Sequence, residues 1–137
     1  MNQAQGLLDT SVVVALSQGA ITRQLPELPL ISAITLSELS VGPLIATDAT
    51  ERARRQAVLQ EVEAAFDPLP VNAAVARVYG RVGAELRARG SKSKARSYDA
   101  LIAAVAITNG LTLYTANAED FVGISGLKVV AVGNASG

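Results

Sequence analysis

The chain contains no cysteine and no histidine. Their joint absence excludes thiol nucleophiles, structural zinc sites, Ser-His-Asp triads and imidazole general bases. Tryptophan is absent too, and aromatic residues make up only 4% of the 137 positions, so the core has to be aliphatic. No apolar run approaches the roughly 18 residues that a membrane span needs. The opening MNQAQG lacks the basic segment of a secretory signal, and both features lead us to expect a cytoplasmic protein. Any hydrolytic chemistry must therefore rest on carboxylates, hydroxyls, lysine or arginine. Half of the residues are apolar, which at this length suits one globular domain over residues 1–137.

Twelve basic residues balance twelve acidic ones. The overall charge thus gives no reason to expect nucleic-acid binding, but its distribution is uneven. Seven bases lie between Arg77 and Arg96, against the single acid Glu85. Such a run serves either as a solvated face or as a stripe that positions a phosphate backbone. Arg89, Lys92, Lys94 and Arg96 are the candidates for the second role.

Along the chain, GLLDTSVVVAL reads as a short strand ending at Asp9, with Thr10 and Ser11 as candidate caps of a helix to about Leu16. LISAIT, β-branched and bounded by proline, suggests a second strand. LSELSVGPLIA continues as a helix carrying Glu38, with Gly42-Pro43 expected to break or kink it. Residues 50–66 have helical spacing, DPLPV suits a short strand, and Asn72 is placed to cap a long helix to about Ala88. RARGSKSKARS reads as a loop or fraying helix end. A buried helix from Tyr98 to Asn109 follows, stopped by Gly110. LTLYT is a strand, NAEDFVG a helical turn and LKVVAV a last strand. Alternating strands and helices imply a mostly parallel sheet of about five strands covered on both faces, a three-layer α/β/α domain.

This order places Asp9 after the first strand, Asp99 at the start of a buried helix, and Asp120 after the penultimate strand. Ligands in open α/β sheets bind beyond the carboxyl ends of the strands, where such positions converge. Glu38 lies between Leu36 and Leu39, where an unpaired carboxylate is costly. Each acid also has a structural explanation: Asp9 and Asp99 as helix caps, Glu38 as a half-exposed helix residue, Asp120 as a surface acid. Taken together they form an oxygen-only donor set suited to a hard divalent cation, Mg²⁺ or Mn²⁺. Such an ion lowers the pKa of a bound water and stabilises charge on a phosphoryl group, replacing the missing histidine base.

LLDTSVVVAL, ISAITLSELSVG, SYDALIAAVAITNGLTLYTANAEDF and the closing GLKVV together resemble the PIN-domain ribonucleases, specifically the VapC toxins of bacterial toxin–antitoxin pairs. The resemblance spans nearly the whole chain in the family's order and spacing. By motif, Asp9 matches the family's first acid, Glu38 the acid of the S-E-L segment and Asp99 that of D-A-L-I-A-A. The resemblance implies that these carboxylates hold one or two Mg²⁺ or Mn²⁺ ions for phosphodiester hydrolysis. It also implies an RNA substrate, with tRNA or another structured RNA as candidates, a homodimer, and inhibition by a cognate VapB-like antitoxin. Many relatives carry a fourth acid where this chain has Asn117, and Asp120 follows three residues later. On a helical segment these two positions share a face, so Asp120 can supply the charge and Asn117 a neutral oxygen. Thr10, Ser11 and Thr115 are candidate hydroxyls of the same pocket, although capping explains them as well.

Two other classes share parts of this pattern. Aspartyl-phosphate phosphatases begin with a strand ending in Asp, but need a second Asp at the position of Ser11. A receiver-like signalling domain, an α/β module with an acidic pocket and no nuclease activity, normally has paired acids after its first strand, where this chain has only Asp9.

Overall fold

The computed structural model describes residues 4–19, 25–90 and 94–133, with the path of the backbone alone for 94–96. Four strands, β1 (Gln5–Leu8), β2 (Leu28–Leu30), β3 (Thr112–Thr115) and β4 (Val129–Ala131), form an all-parallel sheet in the order β2-β1-β3-β4. Five helices accompany them: α1 (Thr10–Ser17), α2 (Ala33–Ile45), α3 (Ala49–Ala65), α4 (Ala73–Ala88) and α5 (Lys94–Thr108). The expected fifth strand at DPLPV is reduced to one parallel bridge, Ser32 to Leu69. Prolines on both sides of Leu69 remove the N–H donors that a longer ladder would require.

Side chains alternate across the strands and so divide the interior in two. Leu7 and Leu113 face a core built with Val75, Val82 and Leu86 of α4 and the Ile102–Ala106 stretch of α5. Leu8 and Tyr114 face the opposite core, with Val12 and Val13 of α1 and Val62 of α3. From Ala100 to Ile107 α5 is apolar, with alanine at four of the seven positions to Ala106, because this part of the helix is enclosed between the sheet and α4.

Local chemistry sets most boundaries. Asn72 Oδ1 accepts the Val75 N–H at 3.0 Å and starts α4, and Asp48 Oδ1 accepts the Glu51 N–H at 2.8 Å and starts α3. Gly110, at φ 65°, ends α5: its N–H reaches the Ile107 carbonyl and that of Leu111 reaches Ala106, a Schellman closure. LISAIT is not one strand. Ser32 Oγ accepts the Thr35 N–H at 3.2 Å, and this cap turns the chain into α2 after Ile31. Nor does Pro43 break α2, which continues to Ile45. Pro43 is buried, and Arg55 and Arg52 of α3 donate to the carbonyls of Gly42, Pro43 and Ala46 around the helix end. α5 starts at Lys94, four residues earlier than the apolar run suggests.

Candidate functional site

With β1 bonded to β2 on one side and β3 on the other, the chain reverses its direction of winding between β1 and β3. The carboxyl ends of two such strands diverge into the crevice where α/β sheets bind ligands. Asp9 directly follows β1, its N–H held by the Tyr114 carbonyl at 2.9 Å, and Thr115 is the last residue of β3.

Asp9 occupies the N-cap position of α1, yet its carboxylate makes no capping hydrogen bond. Instead Oδ2 accepts from Thr115 Oγ1 at 2.7 Å and from Ser11 Oγ at 3.0 Å. These hydroxyls in turn accept the N–H groups of Asn117 and Ala116. A hydroxyl has one proton, so backbone donors on their lone pairs commit both protons to Asp9. The expected capping by Thr10 and Ser11 does not occur. Both hydroxyls turn inward.

Glu38 projects from α2 towards the same end of β1. Thr10 Oγ1 donates to Glu38 Oε1 at 2.6 Å and lies 2.9 Å from Thr35 Oγ1. Because the Thr10 proton goes to the carboxylate, Thr35 is the donor of that second bond. Burial pushes the Glu38 carboxyl above the usual carboxylate range; the Thr10 hydrogen bond opposes that shift, and the Asp9 charge adds to it. Thr35, fully buried, is a residue that sequence reasoning missed. Its position three residues before Glu38, on the same helix face, was the available signal.

Asp99 is the sixth residue of α5 and therefore cannot be its N-cap. It stands half-buried in the second turn. Asp120 lies in a 3-10 turn at Ala118–Phe121, half-buried, with its N–H on the Asn117 carbonyl at 3.0 Å. Asn117 is exposed and its side chain makes no cap bond to that turn. The structure thus joins Asp9, Ser11 and Thr115 in one hydrogen-bonded group and Glu38, Thr10 and Thr35 in another. Among the described residues no three acids stand close enough together to make a ready cation site, and no ion pair involves Asp9 or Glu38. The donor chemistry fits a hard cation: every atom presented is oxygen, and Glu38, whose charge is disfavoured chiefly by burial and to a lesser degree by Asp9, is a carboxylate that a cation would stabilise.

Of the basic stripe, Arg89 has a structural task. Its guanidinium donates to the Val122 carbonyl and covers Gly123, tying the end of α4 to the turn after Asp120. Lys92 and the side chains of Lys94 and Arg96 lie outside the described residues.

Comparison with known proteins gives this geometry a context. The family model of the PIN domain matches residues 6–126. The chain is 42% identical over 101 residues to Ribonuclease VapC8 of Mycobacterium tuberculosis, covering 74% of this chain and 89% of that protein. It is 33% identical over 129 residues to Ribonuclease VapC1 of Rickettsia felis, covering 92% and 95% respectively. Among solved structures it is similar to VapBC-5 from Mycobacterium tuberculosis, a member of the VapBC family of toxin-antitoxin systems. That match has a TM-score of 0.77 and 34% identity over 94% of this chain and 99% of the other. DNA-bound VapBC from Salmonella typhimurium matches with a TM-score of 0.74 and 25% identity over 93% and 97%.

Proposed function

The chain belongs to the PIN-domain family, among its VapC ribonucleases, and from that premise we propose that it is the toxin of a toxin–antitoxin pair, an endonuclease that hydrolyses RNA phosphodiester bonds. The whole chain is taken as one such domain. The observation that carries the reading is Asp9: a buried carboxylate at the switch point of the sheet, directed away from capping and fixed by two hydroxyls.

Asp9 and Glu38 are the proposed holders of a divalent ion, Mg²⁺ or Mn²⁺, with Asp99 and Asp120 as further acids and the Asn117 amide as a neutral oxygen. When bound, such an ion supplies an activated water and offsets charge on the phosphoryl group. The protein's own part is orientation. Ser11 and Thr115 hold Asp9, and Thr35, acting through Thr10, holds Glu38, where the Thr10 hydrogen bond favours the ionised form. Preset ligands lose little freedom on meeting the ion and the scissile phosphate.

The proposed partners are an RNA, tRNA or another structured RNA being candidates, a VapB-like antitoxin, and a second copy of the chain in a homodimer. The proposed location is the cytoplasm. No helix among the described residues is long and apolar enough to cross a membrane.

The test is incubation of the purified protein with total cellular RNA, with cleavage ends mapped. We expect discrete cleavage with Mg²⁺ or Mn²⁺, none in EDTA, and recovery when the ion is returned. Full cleavage in EDTA would sink the metal-dependent reading, and no cleavage under any condition would sink the ribonuclease reading.

A further inference from the structure

A groove of about 340 Å³ opens beside Glu38, between α1, α2 and α3. It falls within the size range of small-ligand pockets, roughly 300–1,000 Å³. Thr10 and Glu38 form one end, Val14, Leu39 and Val58 give it an apolar lining, and Arg54 borders it from α3. The two arginines that reach this groove differ in their commitments. Arg55 joins the frame: its NH1 donates to the Gly42 carbonyl at 2.9 Å and its Nε to Glu51 Oε2 at 2.7 Å. Arg54 is bound to Glu51 on the surface of α3, through Nε to Oε1 at 3.0 Å and NH2 to Oε2 at 2.5 Å, with half of its side chain exposed. An exposed pair of this kind contributes little to stability, so a phosphate can draw the guanidinium away at small cost.

Resting on the ribonuclease reading above, we propose that this groove seats the nucleotide next to the scissile phosphate of a single-stranded RNA segment, with Arg54 holding its outer phosphate. Each part of the groove matches one part of a nucleotide. Glu38 at one end would share in holding the ion that meets the cleaved phosphate, the apolar lining accepts the face of a base or ribose, and the guanidinium forms a fork for phosphate oxygens. The competing occupant is an inhibitory protein segment that offsets the acids with its own cations. Arg54 would repel such a segment, while it attracts phosphate. Glu51, which holds Arg54 in the absence of RNA, competes with that phosphate.

The experiment uses a fluorescent single-stranded oligonucleotide that contains a cleavage site mapped in cellular RNA. Single-turnover cleavage in Mn²⁺ gives the half-saturating protein concentration and the maximal rate. Fluorescence anisotropy in EDTA over a salt series gives binding. Arg54→Gln is expected to raise half-saturation roughly tenfold, the size of one missing charge-assisted hydrogen bond, with the maximal rate nearly unchanged. The salt slope should fall by about one, as when one phosphate is no longer neutralised. Arg54→Lys should restore part of both. Glu51→Gln, which frees Arg54, should tighten binding. Arg52→Gln, which loses only the bonds to the end of α2, should leave the slope unchanged. The proposal is overturned if Arg54→Gln matches wild type in half-saturation and slope, if it lowers the maximal rate alone, or if it leaves RNA unaffected and changes only inhibition by the antitoxin. A wild-type protein that cleaves no RNA would overturn the ribonuclease reading and this proposal together; wild-type cleavage with an unaltered Arg54→Gln overturns this proposal alone.

Discussion

At the scale of single residues, the acids divide according to whether a structural task explains them. Capping explains neither Asp9, which binds Ser11 and Thr115, nor Asp99, which lies in the second turn of α5. Asp99→Asn keeps the shape and removes the charge. If Asp99 joins Asp9 and Glu38 as proposed, that variant folds and melts, in EDTA, at the wild-type temperature or above, because the substitution removes one of three like charges. RNA cleavage should fall by orders of magnitude, and the rise in melting temperature on adding Mn²⁺ should shrink, since that rise reflects metal binding to the folded state. A folded variant that cleaves normally and keeps the full Mn²⁺ shift would remove Asp99 from the site. Glu38 gives a prediction in pH. Its pKa is raised in the folded state, chiefly by burial, so the native protein holds this proton more tightly than the unfolded chain does. The resulting penalty is absent below the ordinary value of 4.5, grows as pH rises from there through the raised value, and is complete above it. Glu38→Gln, which still accepts from Thr10, should therefore melt above wild type at neutral pH in EDTA, with the gap closing in acid. A gap that widened in acid would contradict this assignment.

At the scale of elements, β1 carries a constraint its sequence hides. Gly6 is buried, and a Cβ there would stand 2.8 Å from Tyr114 Cδ1 and 2.9 Å from Pro26 Cγ. β1 is bonded on both sides, so it has little room to shift. Gly6→Ala should destabilise the fold by about 1–3 kcal/mol, the usual cost of overpacking, as a lowered midpoint in urea unfolding. An unchanged midpoint would mean that Tyr114 yields freely. Arg52 and Arg55 tie α3 to carbonyls at the end of α2, and Arg55 is also paired with Glu51 within α3. Glu51 sits between Arg54 and Arg55, whose hydrogen bonds hold its carboxyl down to about 2. A depressed acid stabilises above its ordinary value of 4.5 and loses that contribution as pH falls towards the depressed one. Hydrogen-exchange protection in α3, taken relative to the intrinsic rate at each pH, should accordingly fall below pH ~4.5 in wild type more than in Glu51→Gln; equal acid sensitivity in the two proteins would remove Glu51 from this role.

At the scale of the whole molecule, zero net charge leaves RNA affinity to local patches. With Arg89 bound to the Val122 carbonyl, Lys92, Lys94 and Arg96 are the three of the four candidate phosphate contacts without that task. Replacing those three with alanine should lower the salt slope of RNA binding by roughly 0.7–0.9 for each phosphate that they neutralise in wild type. Arg89→Ala should mainly lower the melting temperature. A large slope change on Arg89→Ala alone, with stability intact, would reverse that division. Much of this organisation was legible in order along the chain. The absence of His and Cys restricts the chemistry to oxygen ligands, the spacing of Asp9, Glu38 and Asp99 carries the family resemblance, and Asn72 and Gly110 mark helix ends through their own side-chain and backbone chemistry. These are local properties, expressed within a few residues of their position. The sequence could not show that Arg52 and Arg55 donate to carbonyls around the end of α2, that Arg89 is bound to a carbonyl, or that Thr35 reaches Glu38 through Thr10. Each depends on which groups from distant segments meet. Hydrogen bonds and burial reward spatial neighbours 25 to 106 positions apart, as in Thr10–Thr35 and Asp9–Thr115, and only the folded sheet brings those neighbours together.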